Sequence, residues 1–532
     1  MAARALLSLV LLLLSGALRP AAACTSYIVG PGASADGSVL IARNDDGEGA
    51  IAPSWLVYHP PRPGPAPYHA NLNNLSLELP APGLAYFALP SGPLADAATG
   101  RNTSGEAAGW NSAGVAVSAT ESIYSSVAAL AADPMNEGSG IIEDAIPSIL
   151  LPQATSARQA VRVLGDLVTL RGAGEAFGVL AADAEDAWYL EVASGHHWLA
   201  QREVDLEDQD SVLASPGLLN FAVEAGLYDP GSGRPFNFFA AFMRDGPHDV
   251  NYSYPRVCLL QRLFGACPPA ANCANMLAQP TFMRPTPHKL GVRDVKAAMR
   301  NHWDGSAHDP YLHGNPDEPW RPIALLRTSM GHVTQVRPAA AGLPDALSII
   351  THVTFATPKL APFIPLYKGL PGDAVPRELT VARAGQPDAV SLFWRARRLQ
   401  ALVFQDWGVL APPAAAAIVR FEERVEQELC PAFEARYVEA LGAGREEEAA
   451  RELVDFTAWV VQEAGALLDR LAAKAAKALG LPGVPEDARM LEMLEEAAEA
   501  YAFEPTSDAL PAGARLSGAP GQRGVGGGTS TA

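Results

Sequence analysis

After the first 23 residues the chain has no apolar run long enough to span a bilayer, which takes about 20 residues, and the expectation is a mature protein without a membrane span. It has no basic cluster either. With 39 Lys and Arg against 58 Asp and Glu, the net charge is −19. Such a surface excludes nucleic acid and anionic membranes as natural partners. There is no G-x-S-x-G, H-E-x-x-H, phosphate-binding loop or dinucleotide fingerprint. Cysteine is scarce, with five in 532 residues.

What is present begins at the N-terminus. Arg4, the apolar run 6–14 and the small residues Ala21-Ala22-Ala23 have the layout of a secretory signal, with cleavage before Cys24. The next stretch, 24–46, reads CTSYIVGPGASADGSVLIARNDD. Residues 25–30 and 37–43 are rich in β-branched and aliphatic side chains, and turn formers and small residues lie between them. With residues 31–36 as the loop, Gly30 faces Gly37 and Cys24 falls opposite Arg43. Opposed residues have Cβ atoms about 4.5–5.5 Å apart, so the guanidinium would sit beside the thiol and favour the thiolate. Asp46, just past the strand, would orient the α-amine or hold Arg43. An N-terminal cysteine also supplies its own base, because an α-amine titrates at about 7.7–8.0. No distant His is then required. The plainer alternatives for Cys24 are a disulfide half, a lipidated cysteine or merely the first residue after cleavage.

Cys24-Thr25, Asp36-Gly37-Ser38 and Arg43-Asn44 with Asp46, in that order behind a signal peptide, resemble the N-terminal-nucleophile cysteine dipeptidases of the dipeptidase A and secernin type. The Arg-Asn-x-Asp spacing is similar to that of the related bile-salt hydrolases and penicillin acylases. The resemblance implies a four-layer αββα sandwich, an α+β fold, here with a helical C-terminal region. It implies Cys24, Arg43 and Asp46 as catalytic residues, peptide substrates, and no cofactor. It continues in Asn111 and Gly114 at the entrance of a strand with alternating Val115, Val117 and Ala119. Asn111 and Glu121 are thereby candidates for substrate binding, Glu121 for the substrate's free amine. The Trp-Tyr-Leu-Glu strand at 188–191 and the following His196-His197-Trp198 also match. Adjacent histidines on a strand face opposite sides, and no further ligand stands at zinc spacing, so no metal is expected. The chain departs from the family in two places, the first being Asn111-Ser112 where members commonly have Asn-Glu. After Arg202 the strand that usually carries an oxyanion-hole Asn is missing, and the loss of such a donor costs about 2.7–4 kcal/mol.

Apart from Cys24, four cysteines (Cys258, Cys267, Cys273 and Cys430) are compatible with two disulfides. Residues 256–280, which hold three of them, read as a disulfide-tied lid. Asn74, Asn102 and Asn251 stand in glycan acceptor triplets. Helices are expected at 388–407, 414–441 and 445–479, with Pro412-Pro413 separating the first two. The expected organisation is a signal peptide (1–23), one hydrolase domain (24–480), an additional helix within 481–504 and a disordered tail (505–532). The leading reading is a cysteine-type dipeptidase, secreted or in a lysosome-like compartment. The alternatives are a non-peptide amidase of the bile-salt hydrolase or ceramidase type, and a non-catalytic secretory protein on the same fold.

Overall fold

The structure, a computed structural model, describes residues 24–47, 51–95, 102–120, 124–202, 211–244, 246–265, 288–313 and 320–501. The segments read as leader and tail, and Glu121, lie outside these residues, as does most of the cysteine-rich segment. The strands are β1 Thr25–Val29, β2 Val39–Asp45, β3 Val57–His59, β4 Ala66–His69, β5 Ser76–Leu79, β6 Tyr86–Ala95, β7 Asn102–Asn111 and β8 Ala116–Thr120. They continue as β9 Phe177–Ala182, β10 Ala187–Val192, β11 Trp198–Arg202, β12 Val212–Ala214, β13 Met330–Val336, β14 Ile349–Phe355 and β15 Ile364–Tyr367. The helices that cover them are α1 Ile146–Leu150, α2 Ala157–Arg171, α3 Tyr254–Leu263, α4 Val292–Met299, α5 Leu392–Val403, α6 Trp407–Arg424, α7 Cys430–Gly442, α8 Glu446–Ala478 and α9 Asp487–Ala500.

Two antiparallel sheets form the middle of the molecule. One has five strands in the order β1-β2-β13-β14-β15, the other eight in the order β12-β11-β10-β9-β8-β7-β6-β3. They pack face to face. Val39 and Ile41 of β2 and Met330 and Val336 of β13 share one core with Trp110, Ala116, Leu180 and Ala182 of the larger sheet. Because side chains alternate along a strand, the other parity of β2, Leu40 and Ala42, points outward onto Val295, Ala298 and Met299 of α4 and Leu259 and Leu260 of α3. The larger sheet turns Val117, Val179, Trp188 and Leu190 onto α1 and α2. The layers are therefore helix, sheet, sheet, helix, the α+β sandwich expected. The C-terminal helices α5 to α9 share the central core beside β14 and β15. Ser156 caps α2, its hydroxyl accepting from Gln159 N, and Gly480, at φ +72°, ends the long helix α8.

Three expectations need correction. The β1–β2 hairpin pairs Thr25 with Asn44 and Val29 with Leu40, so Ser26 and not Cys24 is opposite Arg43. The loop is longer than six residues because the Asp36 carboxylate accepts from Ser38 N and from Gln335 Nε2, which draws Gly37 and Ser38 out of the ladder. Pro412 and Pro413 lie inside α6 and do not separate it from its neighbour. The carbonyls they leave unbonded, those of Gly408 and Val409, belong to residues on the exposed face, where water can serve them. Cys430 is a free buried thiol on α7, so the four cysteines do not close as two bridges. The next strand among the described residues is β12. The three-residue β12 pairs Ala214 with Leu199 at the sheet edge, and it carries no Asn.

Candidate active site

Cys24 stands one residue before β1 and is 1% exposed. The last ladder pair is Thr25 with Asn44, which sets Cys24 across from Asp45. Both share the parity of Arg43, and that parity faces the space between the sheets. Arg43 crosses this space. Its Nη1 donates to the carbonyls of Ala107, at 3.0 Å, and Ala119 on the opposite sheet. Its Nη2 donates to Cys24 Sγ at 3.0 Å and to Glu143 Oε1 at 2.5 Å. The Cys24 thiol also donates to Asp45 Oδ1 at 3.7 Å, and that oxygen is 3.6 Å from Arg43 Nη2. One thiol thus sits among one guanidinium and two carboxylates, all of them buried.

A second set of charges adjoins it. Asp46 does not hold Arg43. Its Oδ1 receives the Thr328 hydroxyl at 2.5 Å, and its Oδ2 pairs with Arg321. Arg256 donates from Nη1 to the Cys24 carbonyl at 2.7 Å and to Thr25 Oγ1 at 2.6 Å. Arg256 and Arg321 both lie over the Tyr252 ring, at 5.2 and 4.5 Å.

Burial dominates the electrostatics. It raises the Cys24 thiol well above its ordinary value, and the lowering by Arg43 does not offset it, with Asp45 and Glu143 adding to the rise. Arg43 thus favours the thiolate, as expected, but desolvation outweighs it. Burial also pushes Glu143 up to about 8 against the pull of Arg43, and it raises Asp45. Burial alone would lower Arg43, but Cys24, Glu143 and Asp45 hold its charge more firmly than usual. Arg256 is lowered to about 9 by burial and by its neighbour Arg321.

Of the residues singled out from sequence, Cys24 and Arg43 are brought together, with Asp46 in the adjoining cluster. Asn111 is placed elsewhere. Its Oδ1 accepts from Ala113 N and Val115 N, and its Nδ2 donates to Leu151 O and Ala154 O. It holds a turn at one end of β8, while Ala119, whose carbonyl meets Arg43, lies near the other end, about 14 Å along at 3.4 Å per residue. Thr328 reaches the Asp46 carboxylate, Ser329 Oγ donates to Asp45 O at 3.1 Å, and His332 Nε2 is 3.0 Å from Ser118 Oγ. His196 pairs with Asp133 at 2.8 Å and His197 with Ser215 at 3.0 Å. Among the described residues no cluster of three or more His, Cys, Asp or Glu side chains could hold a metal ion.

Asp45, Glu143, Arg256 and Arg321 were not singled out from sequence. Asp45 lay inside the quoted motif. Glu143 had a signal, a carboxylate directly behind the apolar pair Ile141-Ile142. The two arginines had none, since 232 residues separate Arg256 from the cysteine whose carbonyl it binds.

The family described as Peptidase family C69 matches residues 23–418 of this chain. A probable dipeptidase of Salmonella dublin is 42% identical over 373 residues, covering 66% of this chain and 83% of that protein. A probable dipeptidase of Latilactobacillus sakei is 33% identical over 364 residues, covering 65% and 74%. Among solved structures, the C2A mutant of a conjugated bile acid hydrolase from Clostridium perfringens aligns over 65% of this chain and 92% of its own, with 11% identity and a TM-score of 0.30.

Proposed function

The chain belongs to peptidase family C69, and from that premise we propose that it is a cysteine-type dipeptidase whose nucleophile is Cys24. The observation that carries this reading is the Arg43 guanidinium 3.0 Å from the Cys24 thiol, both buried between the sheets. Its relatives are named dipeptidases, and the match includes every residue of this cluster.

In the proposed mechanism a signal peptidase in the secretory pathway removes residues 1–23. While Ala23 is attached, the nitrogen of Cys24 is an amide and accepts no proton. After cleavage it is an amine of near-neutral pKa beside its own thiol. The amine takes the thiol proton as sulfur attacks the scissile carbonyl, so no standing thiolate is needed, which suits a thiol that burial keeps protonated. Arg43 stabilises the charge as it develops on sulfur. The peptide C–N bond breaks, and the leaving amine receives the proton from the Cys24 ammonium. Water, deprotonated by the same amine, then hydrolyses the thioester. Asp46 acts through Arg321 and Thr328, fixing the end of β2 from which Arg43 and Asp45 project.

The test joins two measurements on protein secreted from a eukaryotic host. Mass spectrometry of the N-terminal peptide is expected to find Cys24 at position one, and the protein is expected to hydrolyse unblocked dipeptides. Cys24→Ala is expected to abolish turnover. An N-terminus elsewhere, or full activity in that variant, would end the proposed mechanism.

A further inference from the structure

Asp45 holds a carboxylate oxygen with no hydrogen-bond partner among the described residues. The side chain is 2% exposed. Its Oδ1 accepts from the Cys24 thiol and lies beside Arg43, but its Oδ2 has no hydrogen-bond partner. Leaving a buried charged acceptor unsatisfied costs more than the roughly 1–3 kcal/mol of a neutral one, so such an atom marks a place where a donor fits. Asp46, the next residue, offers no such place, since both its oxygens are taken by Thr328 and Arg321. Glu143 is already paired with Arg43.

The unused oxygen lies where a dipeptide would bring a cation. In a dipeptide the free amine nitrogen is two bonds from the scissile carbonyl carbon, about 2.5 Å away by standard bond lengths. A sulfur poised to attack stands about 3–3.5 Å from that carbon. The amine therefore falls within about 3–6 Å of Cys24 Sγ. The Asp45 carboxylate, 3.7 Å from Sγ at its nearer oxygen, shares that shell. The hairpin register also puts Cys24 and Asp45 across from each other, facing the same space. Burial holds the Asp45 carboxyl above its ordinary range, and Arg43, the Gly47 N–H and the Cys24 thiol offset that only in part; a cation on Oδ2 would add to the offset.

We propose that Asp45 is the specificity-determining residue of this site, binding the free α-ammonium of the substrate through Oδ2 and so confining the enzyme to peptides with an unblocked N-terminus. This rests on the dipeptidase reading and deepens it. It also transfers to Asp45 the role that the sequence suggested for Glu121.

The experiment compares L-alanyl-L-alanine, its N-acetylated form and lactyl-alanine, in which a hydroxyl replaces the ammonium, on the mature protein. The wild type is expected to hydrolyse the unblocked dipeptide at least about 100-fold better in kcat/KM than either analogue, the scale of a lost charge-assisted hydrogen bond. Asp45→Asn is expected to raise KM for alanyl-alanine about 10-fold or more and to erase most of the preference. A wild type that hydrolyses lactyl-alanine as well as alanyl-alanine overturns the inference even if the variant fails to fold. So does an Asp45→Asn enzyme that loses kcat equally on all three substrates and keeps their ratio, which would assign Asp45 to the amine of Cys24 itself. A wild type that turns over none of them defeats the dipeptidase reading, and the inference with it.

Discussion

Arg43 reaches Cys24 along the diagonal of the β1–β2 hairpin: Nη2 stands 3.0 Å from Sγ, although Ser26 is the residue paired with Arg43. The register differs by two residues from the one that the loop composition suggests. A shift of two keeps every side chain on its face, where a shift of one would have turned Arg43 away from the sulfur. The long guanidinium side chain spans the diagonal, and the place across from Cys24 goes to Asp45.

Arg43 and Glu143 should behave as one unit. Arg43→Ala leaves the Glu143 carboxylate and the carbonyls of Ala107 and Ala119 buried without their donor. Removing one partner of a buried pair costs about 3–5 kcal/mol, so a loss of that size is expected in urea unfolding, together with loss of peptide hydrolysis. Adding Glu143→Gln to Arg43→Ala should restore a good part of the stability and none of the activity. A double variant no more stable than Arg43→Ala would mean that the stranded carboxylate is not the source of the loss.

The Cys24 thiol should titrate late. Burial raises it more strongly than Arg43 lowers it, so at neutral pH it is a thiol. In protein that still carries residues 1–23, the rate of alkylation by iodoacetamide should keep climbing beyond about pH 9, with no plateau near neutrality, because the rate follows the thiolate fraction. Cys430, also raised by burial, to about 11, is a second slow thiol, and Cys430→Ala removes it as a background signal. A plateau for Cys24 below about pH 8 would show the guanidinium outweighing desolvation.

Gly331 gives a test of the scaffold under the site. It pairs with Asn44 across β2 and β13, and a Cβ there would meet Asn44 Oδ1 at 2.7 Å and Pro358 Cγ and Thr354 Cγ2 at 3.2 Å. Asn44 in turn ties β2 to the carbonyls of Met299 and Ile323, both at 2.9 Å. Gly331→Ala is expected to cost about 1–3 kcal/mol, as overpacking does. It should also lower activity at permissive temperature, since Asn44 lies between Arg43 and Asp45. Unchanged melting and turnover would mean that Asn44 can move without disturbing either neighbour.

These residues show what the sequence made legible and what it did not. The hairpin, the β8 strand, the β9–β10 hairpin and the amphipathic C-terminal helices follow from local periodicity and turn chemistry, and local rules were enough to place Cys24 near Arg43. The loop length was not legible, because Asp36 is tied to Gln335, 299 residues away. Pro412 and Pro413 misled because proline stops a helix only where the freed carbonyls lack another partner, and here they face outward. Half of the charge cluster (Glu143, Arg256 and Arg321) is assembled by sheet packing and by chain that returns late in the sequence, so no spacing could announce it. Asn111, chosen for a family likeness, holds a turn.

Glu191 should make the protein less stable as the solution turns alkaline. It lies on β10, 5% exposed. Burial pushes its carboxyl up to about 7, and a hydrogen bond from Tyr189 offsets this only in part. An unfolded chain ionises this group near its ordinary value of about 4.3. Below that pH both states hold the proton, and the group is neutral to stability. Between there and about pH 7 the unfolded state has released its proton while the folded state keeps it, so stability falls as pH rises. Above about pH 7 both are ionised and the full penalty stands, on the order of 3 kcal/mol at 1.36 kcal/mol per unit. Glu191→Gln keeps an acceptor for Tyr189 and cannot ionise. It should therefore match the wild type near pH 4 and exceed it by about 3 kcal/mol at pH 8, read as midpoints of urea unfolding at the two pH values. Equal midpoints for the two proteins at pH 8 would show that the buried carboxylate is solvated by a partner that relieves it, and the gap should open steadily between the two pH values if burial alone is responsible.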